Sequence, residues 1–238
     1  MREPKGPPES ALDPEGSAAR GTALPPAEFA EAFNDELVRA LAHVGHPDLV
    51  ATREDTQIQD LLFAGLKDEI EASEIAAVWM VAEVDLELKL GLARQVGDEA
   101  RHYRLLADRL RQLGVEPGGV DPRARGYSHT FRYLKGLQTA AERLAANAAR
   151  EGLARLRNAL VASFCDARGD GETARLYRDV IGPDEAWHLD FARRMVARYA
   201  LTAEDQERAR HAMVRTLQLV DDLPEGARAK GGAAGPTP

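Results

Sequence analysis

The chain has little cysteine, few aromatic residues and no apolar run long enough to cross a membrane. Cys165 is the only cysteine among 238 residues, so an internal disulfide, a Cys-rich zinc site and an iron–sulfur cluster are excluded. Aromatic residues make up 5% of the chain and hydrophobic residues 44%, so the core must consist mainly of Leu, Ala and Val. Together with many Glu and Arg residues, this composition favours helices over strands.

The sequence also lacks an excess of basic residues. Its net charge of −8 predicts no nucleic-acid partner, because such binding depends on neutralising phosphates. The absence of a membrane-spanning apolar run predicts no membrane partner. The first ten residues, MREPKGPPES, lack the apolar segment of a signal peptide, and we therefore expect a cytoplasmic protein.

Two segments differ in composition from the rest of the chain. Residues 1–26 and 225–238 are rich in Pro, Gly and Ala, and they are predicted to be disordered tails because they can bury little apolar surface. Residues 27–224 are predicted to form one helical domain. The expected fold class is all-α.

Hydrophobic periodicity predicts four long helices between two shorter ones. The predicted segments are 27–43, 56–84, 86–113, 139–166, 173–199 and 203–221. The Pro- and Gly-rich segment 115–129 is predicted to be a loop in the long connection between two helical hairpins. Pro183 predicts that the fourth long helix either restarts or kinks at Gly182–Pro183. Helices of this length, about 40 Å, suit an antiparallel four-helix bundle with additional N- and C-terminal helices.

A repeated pentapeptide carries the chemistry. Asp-Glu-Ala-Arg-His occupies positions 98–102, and Asp-Glu-Ala-Trp-His occupies positions 184–188. In both copies Glu and His are three residues apart, which places them on one face of a helix. Both copies are in register with the apolar positions of their helices, so all four side chains are predicted to face the core. Buried carboxylates need strong compensation, and a pair of metal ions supplies it.

A di-metal site of this kind needs two further carboxylates, one from each of the other long helices. Glu69 lies on the apolar face of the first long helix, whereas Glu71 and Glu74 lie off that face. On the third helix, Glu151 is the only well-spaced candidate. Its small and polar neighbours could line a metal cavity or, equally, a solvated face. Glu69 and Glu151 are therefore the predicted additional ligands.

These residues resemble those of the ferritin-like di-iron carboxylate superfamily, which includes rubrerythrins, bacterioferritins and the oxygenase components of bacterial di-iron monooxygenases. The first pentapeptide is similar to the Asp-Glu-x-Arg-His motif of the monooxygenases, and the separations from Glu69 to Glu99 and from Glu151 to Glu185 are similar to theirs. The second copy departs from the motif, with Trp187 in the position of Arg. The resemblance covers roughly residues 55–200.

The resemblance implies a ferritin-like four-helix bundle that binds two iron ions, or a manganese/iron or manganese pair. It also implies ligand roles: Glu99 and Glu185 would bridge the ions, Glu69 and Glu151 would be terminal ligands, and His102 and His188 would each bind one ion. Asp98 and Asp184 would accept hydrogen bonds from the imidazoles, with Arg101 in the same surrounding set.

The function implied is activation of dioxygen to oxidise or hydroxylate a small organic substrate. Catalytic residues other than the metal ligands are not identified. Because the chain lacks a four-cysteine rubredoxin module, electrons would come from a donor protein or from the substrate. The amphipathic helix 203–221 is predicted to pack either on the bundle or on another subunit, and we expect a homo-oligomer, a dimer.

Three other functions stay open at this stage. One is a ferroxidase or iron-handling role, and another is a non-catalytic structural subunit of an oxygenase complex. The third, an RNA-modifying hydroxylase, is less compatible with the acidic composition.

Overall fold

The protein is all-helical. The computed structural model describes residues 22–44, 56–118 and 126–221, and these residues contain no β-strand. The helices are α1 (Pro26–His43), α2 (Ile58–Ala82), α3 (Leu86–Gln112), α4 (His129–Gly136), α5 (Ala140–Ala167), α6 (Gly171–Arg175), a π-helical segment (Leu176–Ile181), α7 (Gly182–Tyr199) and α8 (Ala203–Asp221).

The ends of the long helices lie within a few residues of the predicted ones, and local capping explains them. Asp85 begins α3 after a three-residue reversal, and its side chain accepts a hydrogen bond of 2.8 Å from the backbone N–H of Leu88. Thr139 and Glu142 form a reciprocal capping box at the start of α5. These caps satisfy N–H groups that the first turn of a helix leaves without partners.

The connection before α5 contains a helix that the sequence analysis did not predict. Residue 129 was assigned to a loop, but it begins α4, whose N-cap is Ser128. The hydroxyl of Ser128 accepts a hydrogen bond from the Phe131 N–H and donates one to Glu71. Phe131 and Leu134, three residues apart, are both buried. This short apolar spacing was overlooked because Pro and Gly dominate the residues just before it.

The fourth long helix does not restart at Gly182–Pro183. Ile181 and Gly182 both keep right-handed helical dihedrals, so the chain passes from the π-helical segment directly into α7. The Gly182 N–H donates to the carbonyl oxygen of Tyr177, five residues earlier. Of the two sequence-based alternatives, a restart is therefore wrong. The wider π turn comes just before Pro183, which has no N–H to donate.

The apolar core is divided into two parts. The Trp79 core includes Trp79, Leu92, Leu144 and Met195, and the Leu106 core includes Leu66, Leu106, Cys165 and Ile181. Along α2 and along the π segment and α7, the chain runs from the Leu106 core to the Trp79 core. It runs in the opposite direction along α3 and α5. This alternation is compatible with an antiparallel four-helix bundle, and all four helices carry polar residues between the two cores.

Helices α1 and α8 cover the outside of this assembly, where α8 packs against α5 and α1 against α7. Leu24 lies in the segment predicted to be an N-terminal tail, yet its backbone N–H and carbonyl both bond the side chain of Gln206. Pro26, the last residue of that predicted tail, begins α1. The other parts of the two predicted tails, residues 1–21 and 225–238, lie outside the described residues. None of the described helices has the length and apolar character needed to cross a membrane.

Candidate metal centre

The structure brings together the six predicted metal ligands between the two cores. Each has at most 3% of its surface exposed. They form two overlapping groups, and within each group one ligand atom per residue lies within 4.8 Å of all the others. The Glu69 group comprises Glu69, Glu99, His102 and Glu185, and the Glu151 group comprises Glu99, Glu151, Glu185 and His188.

Glu99 and Glu185, which belong to both groups, each direct one oxygen towards each histidine. The Oε2 of Glu99 lies 3.2 Å from Nδ1 of His102, and its Oε1 lies 3.6 Å from Nδ1 of His188. For Glu185, Oε1 lies 3.8 Å from Nδ1 of His102, and Oε2 lies 3.8 Å from Nδ1 of His188. This is the arrangement that two carboxylates need in order to bridge a pair of ions.

The other two carboxylates each face a single histidine. The Oε2 of Glu69 lies 3.4 Å from Nδ1 of His102, and the Oε2 of Glu151 lies 3.8 Å from Nδ1 of His188. Glu151 is fully buried, so the small and polar face of α5 is turned to the interior. Glu71 and Glu74, which lie off the apolar face, instead bond Ser128 and Tyr127.

Several ligand atoms have no hydrogen-bond partner among the described residues. They are Oε2 of Glu151, Oε2 of Glu185 and Nδ1 of His188, and all three are buried. A buried polar atom without a partner loses its hydration without compensation, which is costly. Carboxylate oxygens and imidazole nitrogens suit iron or manganese ions, and four carboxylates balance the charge of two divalent ions. The residues present therefore fit a two-metal group.

The aspartates of the two pentapeptides contact the histidines crosswise. Asp184 lies 3.2 Å from Nε2 of His102, and Asp98 lies 3.2 Å from Nε2 of His188. A carboxylate at this nitrogen favours a proton there and directs Nδ1 into the cluster. The sequence predicted that these aspartates accept from the imidazoles, but it did not show that each serves the other copy.

Two arginines neutralise these aspartates, and one of them explains the Trp187 departure. Arg101, from the first pentapeptide, pairs with Asp184. The Nε of Arg94 lies 3.2 Å from Asp98, and its guanidinium lies over the Trp187 ring at 3.8 Å. The cation that the second pentapeptide lacks is therefore supplied by α3. Arg94 was missed, although it lies one helical turn before Asp98.

Two further side chains that the sequence analysis did not select, Gln95 and Arg150, contact the ligands, and Asn147 supports the first of them. The amide of Gln95 donates to Oε1 of Glu151 at 2.6 Å and exchanges hydrogen bonds with Asn147. The Nη2 of Arg150 donates to Oε1 of Glu99 at 3.1 Å and also to Oε1 of Glu151. The sequence offered one indication of two of these residues: Gln95 and Asn147 lie one helical turn before the predicted ligands Glu99 and Glu151, on the same helix faces.

The protons of the metal-free cluster reside largely on the imidazoles. Burial opposes their charged form, but hydrogen bonds with Glu69 and Glu99 raise the pKa of His102 to about 11. For His188, the nearby carboxylates of Glu151 and Glu185, each 3.8 Å from Nδ1, overcome burial and also raise the pKa to about 11. Both rings are thus cations at neutral pH.

The carboxylates divide into two kinds. Burial raises the pKa of Glu69 to about 7 and, together with the charge of Glu99, raises that of Glu185 well above its usual range. Burial acts the same way on Glu99 and Glu151, but His102 and Arg150 lower the pKa of Glu99, and Arg150 lowers that of Glu151. Together with Arg150, the two imidazolium rings therefore offset most of the charge of the four carboxylates in the absence of metal.

A narrow cavity approaches the cluster from the Trp79 core. It is lined by Trp79, Glu83, Leu88, Leu92, Arg143, Leu144 and Asn147. Asn147 separates it from the ligands, because the partner of this amide is Gln95, which contacts Glu151 and Glu99. The cavity volume of about 10 Å³ is that of roughly one water molecule, so the cavity does not hold an organic substrate in this form.

Comparison with known proteins finds no match to a family model and no match to a curated protein. The likeness to di-iron carboxylate proteins therefore rests on the residues themselves. The helical architecture and the buried Glu and His groups, which could bind metal, are compatible with such a site.

Proposed function

We propose that the chain is a ferritin-like four-helix bundle whose cluster binds two iron ions, with a manganese/iron or manganese pair as the other compositions. The observation that carries this proposal is the position of Glu99 and Glu185, each with one oxygen towards each imidazole. A surface Glu–His pair would not place both oxygens of two carboxylates between two histidines.

The remaining ligand roles follow from the same distances. Glu69 and His102 would hold one ion, and Glu151 and His188 the other. Asp184 and Asp98 keep the two imidazoles oriented through their Nε2 atoms. The surrounding cores exclude water, so the ligands stay in one geometry.

We assign the protein to the oxidoreductases that activate dioxygen to oxidise or hydroxylate a small organic substrate. A reduced iron pair would supply the electrons that dioxygen accepts. The chain itself contributes the ligands and a buried site from which water is excluded.

The first experiment is metal analysis of protein expressed in iron-supplemented cells. Wild type is compared with Glu99→Gln and Glu185→Gln, which keep side-chain size but remove a bridging charge. Glu71→Gln is the matched control, since Glu71 is a buried carboxylate of α2 that bonds Ser128 rather than the cluster. We expect about two metal ions per chain in wild type and control, and a loss of most metal in both cluster variants.

Oxygen consumption by the reduced, iron-loaded protein then separates the functions. Consumption that rises with small organic substrates, and yields an oxidised product, supports the oxidoreductase. Consumption that depends only on added Fe²⁺ would indicate the ferroxidase or iron-handling role instead. If the wild type and both cluster variants contain no metal, the metal centre is contradicted, and the structural-subunit role is the one that is left.

A further inference from the structure

The two halves of the cluster have different surroundings. The pentapeptides place equivalent residues in both groups, but the residues at matching offsets around them differ in kind. One residue before Glu151 stands Arg150, and one residue before Glu69 stands Asp68. Asp68 pairs with Arg157, so the guanidinium on this side is bonded to a carboxylate outside the ligand set, although its charge also acts on Glu69 and Glu185.

The same difference recurs one helical turn earlier on each helix. Four residues before Glu151 and Glu99 are Asn147 and Gln95, whose amides bond each other and reach Glu151. Four residues before Glu69 is Gly65, where an added Cβ would lie 2.9 Å from Leu106 and 3.0 Å from the Tyr177 hydroxyl. Four before Glu185 is Ile181, which is fully buried in the Leu106 core.

Arg150 acts mainly on the Glu151 group. Its guanidinium donates to Oε1 of Glu151 and Oε1 of Glu99, the latter being the Glu99 oxygen nearer to His188. An ion bound at the Glu151 group must therefore either displace this guanidinium or tolerate a positive charge beside it. Both outcomes weaken binding, because like charges in a buried site are poorly screened.

We propose that Arg150 makes the two metal positions unequal, so that the Glu69 group fills first and tightly, while the Glu151 group fills second and weakly. Arg150 is then a positioning residue, a resident cation that holds Glu99 and Glu151 in place until an ion takes over that role. This inference rests on the proposed di-metal centre and assigns it an order of loading.

The test is a titration of the metal-free, full-length protein with Co²⁺, followed by ligand-field absorption, with bound cobalt counted after desalting. In wild type we expect two steps whose dissociation constants differ by roughly tenfold or more. Arg150→Gln should bring the second constant to within about threefold of the first, because the competing charge is gone. The matched control is Arg155→Gln, which changes an exposed arginine of the same helix, and it should keep the wild-type ratio.

Two ligand variants identify the steps and keep the test decisive if Arg150→Gln does not fold. Glu151→Gln should remove the weak step alone, and Glu69→Gln should remove the tight step. The opposite assignment, equal constants in wild type, or a ratio unchanged by Arg150→Gln would overturn the proposed order while leaving the metal centre standing. Wild type that binds no cobalt would overturn both.

Discussion

At the scale of single residues, each imidazole is oriented by a side chain from the other pentapeptide. His102 on α3 contacts Asp184 on α7, and His188 on α7 contacts Asp98 on α3. The orientation of the ligands on each of these helices therefore depends on the other helix. Arg94 and Arg101 supply the opposing charges at the rim. The centre is therefore supported as one interlocked unit rather than as two separate helix motifs.

Asp184→Asn tests this cross-support. The amide keeps the size of the side chain but removes the charge that favours a proton on Nε2 of His102, so binding at the Glu69 group should weaken by about 10- to 100-fold. The measurement is the tight step of the Co²⁺ titration. Asp190→Asn, on the same helix, is the control, because Asp190 is an exposed partner of Arg194. An unchanged tight step in Asp184→Asn would contradict the orienting role.

The Trp187 departure leads to a rescue experiment. Arg94→Ala removes the cation that lies on Trp187 and pairs with Asp98, and it should lower the free energy of unfolding by about 1 kcal/mol. In a Trp187→Arg background, the new arginine occupies the position that the motif resemblance assigns to it and can reach Asp98. In that background, Arg94→Ala should lower the free energy of unfolding by less than half as much as it does in wild type. Additive effects in urea denaturation would contradict this explanation.

At the scale of helices, the sequence predicted the long elements well because their signals are local. Apolar periodicity and side chains such as Asp85 and Thr139 depend only on neighbouring residues, and they placed α3 and α5 within a few residues of their observed bounds. The π-helical segment and α4 were not predicted. The first is a change of hydrogen-bond register, and the second depends on packing of Phe131 and Leu134 against other helices.

The candidate site shows the same division between local and long-range information. The repeated pentapeptides identified four of the clustered side chains, because Glu-x-x-His is a pattern within one helix. Glu151 was ambiguous in the sequence, since its exposure depends on which face of α5 meets the other helices. The contacts of Arg150 and Gln95 with Glu151 join residues whose pairing no sequence period reveals. That the clustered residues bind metal stays a prediction.

Close packing between α3 and α7 gives a prediction at this scale. An added Cβ at Gly91 would lie 2.0 Å from the Phe191 ring, whereas one at Gly97 on the same helix meets nothing within 4 Å. Gly91→Ala should therefore destabilise the protein by about 1–3 kcal/mol through forced repacking. Gly97→Ala should stabilise it by about 0.5–1 kcal/mol through helix propensity. Denaturant unfolding gives both values, and equal changes would contradict the close approach.

At the scale of the whole molecule, the polar cluster separates two apolar cores on the same helices. Such an arrangement needs a cluster that is close to neutral, because an uncompensated buried charge would oppose folding. In the metal-free state the protonated imidazoles and Arg150 offset most of the carboxylate charge. We therefore expect the fold to form before the ions bind, so that loading exchanges protons for metal.

This exchange predicts how metal binding depends on pH. At pH 7 the imidazoles of His102 and His188 carry protons, since the pKa of each is about 11, and ions must displace them. Loading should release about two protons from the imidazoles, and the raised pKa values of Glu69 and Glu185 act in the same direction, so metal affinity rises with pH. In the metal-free protein the raised pKa values have the opposite effect. Each group stabilises the folded protein fully at pH values below its pKa in the unfolded chain. That stabilisation declines as the pH rises towards the pKa in the folded protein, which is about 7 for Glu69 and about 11 for the two histidines.

The stabilisation gained on loading should therefore increase with pH. Proton release can be counted with an indicator dye during Co²⁺ addition in weak buffer, and thermal unfolding of the metal-free and loaded protein can be compared between pH 6 and 8. Glu71→Gln serves as the control, because that carboxylate bonds Ser128 outside the cluster. Loading without proton release, or with stabilisation that falls as pH rises, would mean that the ions do not bind the imidazoles.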